Sequence, residues 1–156
     1  MSLTDISGVY VNQLPVTADD RGSLMEIFRT DELPELYPPM AYLSVTLPNR
    51  SRGPHEHVSQ TDIFVFLGPA DVLLWDNRPD SETYGMHRIL LDTAPGTQVI
   101  VPPGVVHAYR NRGPDSVMIA NAPTSLYAGY GRNEDVDEIR HEDDEDSPFS
   151  FGSSHE

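Results

Sequence analysis

The chain is divided into short segments by turn-forming residues, with 14 prolines and 11 glycines among its 156 positions. Between them lie nine short runs that are rich in β-branched, aromatic and aliphatic residues. These runs cover residues 8–11, 23–28, 41–47, 62–67, 71–75, 87–91, 97–101, 105–109 and 116–120. Each has the length of a strand, and turn signals such as Ala94-Pro95-Gly96 bound them. Short strands at this close spacing predict an all-β sandwich or barrel.

A short helix is indicated at one place, after Thr30, whose side chain can cap the first turn. It would cover residues 31–36 and end near Pro38 and Pro39, so we predict at most one short helix. The chain length predicts a single domain that can bury a core without metal or disulfide staples. Because the chain has no cysteine, disulfides, thiolate metal sites and cysteine nucleophiles are excluded.

The formal net charge of −15 argues against nucleic acid or an anionic membrane as the main partner. All 10 basic residues are arginines, which excludes Schiff-base chemistry and phosphate binding by a P-loop lysine. No apolar run approaches the ~20 residues that a membrane span needs. The first ten residues also lack the pattern of a secretory signal, so the sequence predicts a cytoplasmic protein.

The composition changes after Arg132. Residues 134–146 contain nine acidic residues and one arginine, which is just over half of the net charge. We therefore divide the chain into a barrel with N-terminal strands over residues 1–132 and an acidic C-terminal segment over residues 133–156. On charge alone, such a run is typical of a solvated surface or a disordered tail. The alternative is that its beginning packs on the barrel over a site and only its end is disordered.

Two histidine-containing stretches are candidates for the functional site. The first, RGPHEH, holds His55 and His57, which project to the same face of a strand because they are two positions apart. Asp62 follows five positions later and can return a carboxylate to that face. The second stretch places His107 shortly after a Pro-Pro-Gly turn between two strands.

These stretches resemble the two motifs of the cupin superfamily. The second motif is matched at Gly96, Pro102, Gly104, His107 and Asn111. The first is matched at His55, His57 and Gly68, with Asp62 where cupins usually have a glutamate and Asn49 in place of the opening glycine. The resemblance implies a cupin-type double-stranded β-helix, a jelly-roll barrel with the histidines in its mouth. Three imidazoles and one carboxylate there, from His55, His57, His107 and Asp62, suit Fe(II), Mn(II), Zn(II) or Ni(II).

A narrower resemblance covers about residues 18–145. The segment DRGSLME at 20–26 is similar to the DxRGxxxE segment of dTDP-4-dehydrorhamnose 3,5-epimerases, and RGPH at 52–55 to their catalytic RGLH. VPPGVVHAY at 101–109 is similar to their IPxGxAHGF segment. The chain also resembles sugar-nucleotide 3,4-ketoisomerase-type cupins, which share an RGxHxH-like segment. These likenesses imply isomerase or epimerase chemistry on a nucleotide-linked 4-keto-6-deoxy sugar, as in rhamnose biosynthesis.

The resemblance also implies roles for single residues. His55 would be the base that removes the proton alpha to the C4 ketone, a task that suits a neutral imidazole. A carboxylate from the C-terminal segment would orient this base, with Glu142 or Asp143 as its counterpart. His107 would line the pocket beside His55.

Substrate binding follows from the same resemblance. Arg52 would bind the diphosphate, because a planar guanidinium grips phosphate oxygens. Arg21 and Glu26 would hold the nucleotide, reaching across a homodimer. The implied partner is a nucleotide-linked sugar, and the epimerase interpretation requires no cofactor.

Two positions depart from the epimerase pattern. Thr61 aligns with a lysine near the ketone oxygen, and Ala120 aligns with the tyrosine that acts as general acid. Tyr127 and Tyr130 lie just downstream and are candidate acids in its place. A divalent metal on the cupin ligand positions could replace the lysine as electrophile. Two alternatives therefore stay open, a metal-dependent isomerase or oxygenase and a catalytically silent cupin that binds a sugar.

Overall fold

The computed structural model describes residues 2–152 of the chain. Its strands are β1 (Ser2–Leu3), β2 (Tyr10–Gln13), β3 (Val16–Asp19), β4 (Gly22–Met25), β5 (Tyr42–Thr46), β6 (Arg50–Glu56), β7 (Asp62–Phe66), β8 (Asp71–Asp76), β9 (His87–Leu90), β10 (Thr97–Val101), β11 (Val105–Asn111), β12 (Val117–Asn121) and β13 (Ile139–Arg140). Each of the nine predicted runs overlaps one of these strands, and the all-β prediction is confirmed.

The strands form two facing antiparallel sheets and one separate hairpin. The first sheet has the order β1-β2-β10-β7-β12-β5, and the second has the order β13-β6-β11-β8-β9. The hairpin is β3-β4. Along β7, alternation points Phe64 and Phe66 inward, where they pack with Tyr109 of the opposite sheet. Phe64 and Tyr109 also line a cleft, which the polar ends of β6 and β7 border.

The region that favours a short helix forms turns instead. Hydrogen bonds from the Leu33 amide to the Arg29 carbonyl and from the Leu36 amide to the Leu33 carbonyl close separate turns. Pro34 lacks the N–H that would continue a helix between them. Leu33 and Leu36 pack against Ile63 on the outer face of the first sheet, so their burial fixes the segment without a helix. In the described chain, the helical elements are the 3₁₀ turns Tyr130–Arg132 and His141–Asp143.

Strands β1, β3, β6 and β13 lie outside the nine predicted runs. The strand β6 has the sequence RSRGPHE, whose arginines, glycine and proline are typical of a loop. It is extended because β11 pairs along one edge and β13 along the other. Tertiary hydrogen bonding therefore overrides a poor local propensity at the strand that carries the histidines.

Candidate active site

The strand β6 has a β-bulge at the site. His55 pairs with His107 and Arg52 pairs with Tyr109, so β6 has one more residue than β11 between the two pairs. In a regular strand, residues three positions apart face opposite sides, but both His55 and Arg52 line the cleft. The bulge therefore brings the predicted base, His55, and the predicted diphosphate-binding residue, Arg52, to one wall.

Gly53 makes the bulge possible. Its φ is +76°, and a Cβ there would lie 2.5 Å from the His107 carbonyl oxygen and 3.1 Å from the Ala108 Cα. Both atoms belong to the backbone and cannot rotate away. We expect Gly53→Ala to lower the free energy of unfolding by about 1–3 kcal/mol, measured by urea denaturation. In the matched control Gly68→Ala, the new Cβ meets only Val117 side-chain atoms at 3.6 Å. Equal stability losses in the two variants would contradict this role.

His55 is a buried imidazole beside two carboxylates. Its Nδ1 lies 3.6 Å from a carboxylate oxygen of Glu138 and 3.7 Å from one of Glu142. Burial, together with the neighbouring His107 and His57, lowers the pKa of His55 to about 3. Burial likewise raises the pKa of Glu142. At neutral pH His55 is therefore an uncharged base whose Nδ1 faces acceptors.

His57 and Asp62 form a buried ion pair behind this base. The Nε2 of His57 lies 3.0 Å from the Asp62 carboxylate, and its Nδ1 donates to the Asp137 carbonyl. Burial disfavours the charged imidazole, but Asp62 outweighs it and the pKa of His57 is raised. Burial also opposes ionisation of Asp62, but the adjacent rings of His107 and His57 hold the pKa of Asp62 well below its ordinary value. Asp62 is thus a carboxylate that favours the charged form of His57.

Asp62 has further partners. It accepts hydrogen bonds from the amides of Gln60 at 2.9 Å and Asn121 at 2.8 Å, and the Nε2 of His107 lies 3.3 Å from it. Asp62 is 1% exposed and His107 2% exposed. His107 therefore lies beneath His55 and His57, against Asp62, and is absent from the cleft wall.

The acidic segment contributes directly to the site through residues 137–143, here termed the C-terminal strap. The Asp137 carboxylate accepts hydrogen bonds from the backbone amides of Val58, Ser59 and Gln60. Burial opposes its ionisation, but these hydrogen bonds lower its pKa. Strand β13 then pairs with β6, and Glu138 and Glu142 lie beside His55.

The outer side of the strap is also anchored to the barrel. His141 lies 2.8 Å from the Glu56 carboxylate, which faces away from the cleft and also accepts a hydrogen bond from Asn77. Phe149 packs edge-on against the rings of Trp75 and His141. This part of the acidic run is therefore packed rather than solvated. Residues 153–156 lie outside the described chain, so the prediction that the end is disordered stays a prediction.

The cleft above these groups has a volume of about 680 Å³. Three arginines lie on its walls, and they are Arg52, Arg132 and Arg140. Arg52 also donates to the Val45 carbonyl, and Arg140 pairs with Glu138. Positive side chains in an otherwise acidic chain give the cleft a local environment that suits an anionic ligand.

The structure brings some predicted site residues together and keeps others apart. Tyr127 lines the cleft, whereas Tyr130 is 86% exposed and absent from its walls, as is Asp143. Arg21 lies on the β3-β4 hairpin with its side chain 85% exposed and paired with Asp19. Glu26 follows that hairpin and pairs with Arg29, also away from this cleft.

Sequence reasoning missed several groups in the site. Glu138 and Asp137 belong to the run that contains Glu142, and charge alone does not separate docked carboxylates from solvated ones. Asn121 and Tyr42 carried no motif signal, although they reach the Asp62 network from neighbouring strands. Ala120, the position that aligns with the tyrosine of the family, lies opposite Val65 and Leu43 and so points away from the cleft. Its neighbour Asn121 points inward instead.

The predicted metal donors lie close together, and His57 is the one among them whose two ring nitrogens both have partners within residues 2–152. Ring nitrogens of His55, His57 and His107 lie within 4.8 Å of one another. Both nitrogens of His57 have partners, because Nδ1 donates to the Asp137 carbonyl and Nε2 lies beside the Asp62 carboxylate and the Gln60 amide. A protonated nitrogen has no lone pair for a metal. A metal would therefore find unpaired nitrogens on His55 and His107 but would have to displace the partners of His57.

Comparison with known proteins identifies the relatives of the chain. It is 38% identical over 142 residues to the "Probable low-salt glycan biosynthesis epimerase Agl13" of Haloferax volcanii, with 88% of each chain covered. It is 33% identical over 124 residues to the "Spore coat polysaccharide biosynthesis protein SpsL" of Bacillus subtilis, covering 78% of this chain and 82% of that protein. The crystal structure of a dTDP sugar isomerase from Desulfovibrio desulfuricans matches with a TM-score of 0.81 at 22% identity, over 96% of this chain and 94% of that one.

The antiparallel barrel and its histidine-lined cleft define a cupin-type enzyme of the sugar-nucleotide epimerase class. Residues 3–145 match the family described as dTDP-4-dehydrorhamnose 3,5-epimerase. The chain therefore belongs to that family, as the sequence resemblance predicted. Within residues 2–152, no helix is long and apolar enough to cross a membrane.

Proposed function

We propose that the protein epimerises a nucleotide-linked 4-keto-6-deoxy sugar by removing a proton from a carbon next to the ketone. The observation that carries the proposal is the state of His55, an uncharged imidazole on the cleft wall with Nδ1 beside Glu138 and Glu142. The two carboxylates on the Nδ1 side favour the ring proton on that nitrogen and leave Nε2 as the basic nitrogen. The ketone makes the adjacent C–H acidic enough for such a base.

The names of the relatives support a role in glycan assembly. One is named for low-salt glycan biosynthesis and the other for spore coat polysaccharide biosynthesis. We propose that the chain supplies an epimerised dTDP-sugar to a comparable pathway in the cytoplasm, with a rhamnose precursor as the first substrate to test.

Solvent isotope exchange tests the reaction directly. In D₂O, the enzyme with dTDP-4-keto-6-deoxyglucose should incorporate deuterium at C3, C5 or both, detected by NMR and mass spectrometry. Inverted product at the same carbons would establish epimerisation. Binding of the sugar nucleotide without any exchange would instead support the silent sugar-binding alternative.

Arg52 is proposed to bind the diphosphate. It is the cleft arginine that lies on the same bulged strand as His55. We expect Arg52→Ala to weaken dTDP binding by about 10- to 100-fold, since hydrogen bonds to charged groups contribute about 1.5–3 kcal/mol. Titration calorimetry with dTDP measures this change. The control Arg88→Ala removes an exposed arginine paired with Asp5 outside the cleft. Affinities within twofold of each other in the two variants would refute the assignment.

We propose that the reaction needs no metal, because Nδ1 of His57 already donates to the Asp137 carbonyl and its Nε2 lies against the Asp62 carboxylate. Protein purified without a histidine tag should contain less than about 0.1 metal ion per chain by elemental analysis. Exchange activity should also survive prolonged treatment with a chelator. A stoichiometric metal whose removal abolishes exchange would favour the metal-dependent isomerase or oxygenase.

We propose a homodimer in which Arg21 and Glu26 act at the cleft of the second copy. Support comes from the position of Arg21, which is exposed on a hairpin outside the two main sheets. The chain mass is 17.4 kDa, so sedimentation equilibrium distinguishes the dimer readily. A monomeric mass at working concentrations would overturn this arrangement.

A further inference from the structure

An inverting epimerase needs a proton donor on the side of the substrate opposite its base. The base, His55, lies on β6 in the second sheet, so the donor is expected on the first sheet, across the cleft. Two tyrosines on the cleft wall come from the sheets, Tyr42 on β5 and Tyr109 on β11. Only β5 belongs to the first sheet.

We propose that Tyr42 is the general acid of this enzyme, an inference that rests on the proposed epimerase function. The Tyr42 hydroxyl accepts a hydrogen bond of 2.9 Å from the Asn121 amide. Among the contacts within residues 2–152 it donates none, so its own proton is free to point at a ligand. By contrast, the Tyr109 hydroxyl lies 3.2 Å from the Ser44 hydroxyl, on a ring buried in the core.

The Tyr42 hydroxyl is held by a fully bonded neighbour. Asn121 is 1% exposed, and its carbonyl oxygen accepts from the Ile63 amide at 3.0 Å. Its amide nitrogen donates to Asp62 as well as to Tyr42. With every polar group engaged, the Asn121 amide cannot flip without losing bonds, which fixes the phenol oxygen at the cleft.

The protonation state of Tyr42 suits a donor. Burial and the nearby Asp62 raise the pKa of Tyr42 to about 12, although the hydrogen bond from Asn121 acts in the opposite direction. The phenol therefore keeps its proton at neutral pH. It releases that proton only to a strongly basic carbon such as an enolate.

The reaction then balances in two steps. The C–H bond next to the ketone breaks, its proton goes to His55, and the electron pair moves onto the ketone oxygen as an enolate. The Tyr42 O–H bond then breaks as a new C–H bond forms on the opposite face, restoring the ketone. Water returns a proton to the phenolate and removes one from the imidazolium, so no co-reactant is consumed.

Tyr42→Phe separates proton removal from inversion. In D₂O with dTDP-4-keto-6-deoxyglucose, His55 can still remove the proton and return a deuteron to the same face. We therefore expect deuterium in the recovered starting epimer within about fivefold of the parent rate. Inverted product should fall by at least about 100-fold, the usual contribution of a general acid. Tyr84→Phe is the control, because it removes a phenol hydroxyl from an exposed tyrosine outside the cleft, and it should exchange and invert at the parent rates. Tyr127→Phe tests the other candidate acid on the cleft wall.

The outcomes distinguish this proposal from the proposed function. Inversion by Tyr42→Phe within threefold of the parent would overturn the role of Tyr42 and leave the epimerase function intact. An equal loss of exchange and inversion in Tyr42→Phe would also overturn the role of Tyr42. The same holds if Tyr127→Phe, and not Tyr42→Phe, exchanges without inverting. A parent enzyme that neither exchanges nor inverts would overturn the epimerase function, and the role of Tyr42 with it.

Discussion

Replacing His55 by asparagine is expected to reduce deuterium incorporation into dTDP-4-keto-6-deoxyglucose by about 10²- to 10⁴-fold, the usual contribution of a general base. Asparagine keeps a polar side chain on the cleft wall but cannot accept the proton. The fold should be retained, because the Nδ1 of His55 makes no hydrogen bond within the described residues. Binding of dTDP by the variant should stay within a few fold of the parent.

A histidine outside the cleft provides the control. His87 is exposed on β9 and stacks on Trp75 at 4.9 Å between ring centroids. We expect His87→Asn to exchange deuterium at the parent rate. If His55→Asn retains the exchange rate of His87→Asn, His55 is not the base.

The pH dependence of exchange gives a second check on His55. Burial and the two neighbouring histidines lower its pKa to about 3, so the ring is in its basic form throughout the range from pH 5.5 to 8. Protonation of His55 should therefore cause no loss of exchange between pH 8 and 5.5. A histidine with the ordinary pKa of about 6.5 would lose about 90% of its base form at pH 5.5. A loss of that size, assigned to His55 by NMR titration, would contradict the buried environment.

The second large effect is expected at Asp62. Asp62→Asn removes the buried charge beside His57. The new side-chain amide also places an N–H group against other N–H donors, either the His57 ring or the amides of Gln60 and Asn121. Breaking one side of a buried ion pair costs about 3–5 kcal/mol. We expect the free energy of unfolding at pH 7 to fall by that amount, measured by urea denaturation. Asp80→Asn, at an exposed aspartate, should change it by less than about 0.5 kcal/mol.

Acid should reduce the difference between the parent and Asp62→Asn. The pKa of Asp62 is lowered in the folded state, so its contribution to stability is complete above the unfolded pKa of about 3.9. The contribution is lost as the pH falls through the lower folded pKa. A stability difference of less than about 1 kcal/mol at pH 7 would show that the pair is not the buried, charged network described above.

The strands that were predicted correctly are those whose apolar residues lie between clear turn residues. Strand β10 coincides with the predicted run 97–101, because Thr97 to Val101 lie between two turns and are all buried. The strand β6 was missed because RSRGPHE has poor strand propensity and is extended only by its neighbours. The predicted helix over residues 31–36 does not form. Pro34 and the burial of Leu33 and Leu36 outweigh the capping signal there.

The roles of the acidic residues 134–146 were also only partly predictable from the sequence. Its composition is typical of a solvated tail, and the resemblance alone pointed to Glu142 as a partner of the base. The structure adds Glu138 at a comparable distance and uses Asp137 to cap the loop at 58–60. These roles depend on the pairing of β13 with β6. The paired residues are more than 80 positions apart in the chain, so no local sequence pattern predicts the pairing.

The sequence by itself determined the all-β class, the family and the histidines of the site, because these depend on periodicity, turn residues and short motifs. Tertiary structure alone decided which polar groups meet. Whether Tyr42 or Tyr127 faces the base, and whether Asp62 binds protons or a metal, depends on strand order, register and a one-residue bulge. A shift of one residue turns a side chain to the other face of a sheet, so contacts between distant strands are settled only when the sheets assemble.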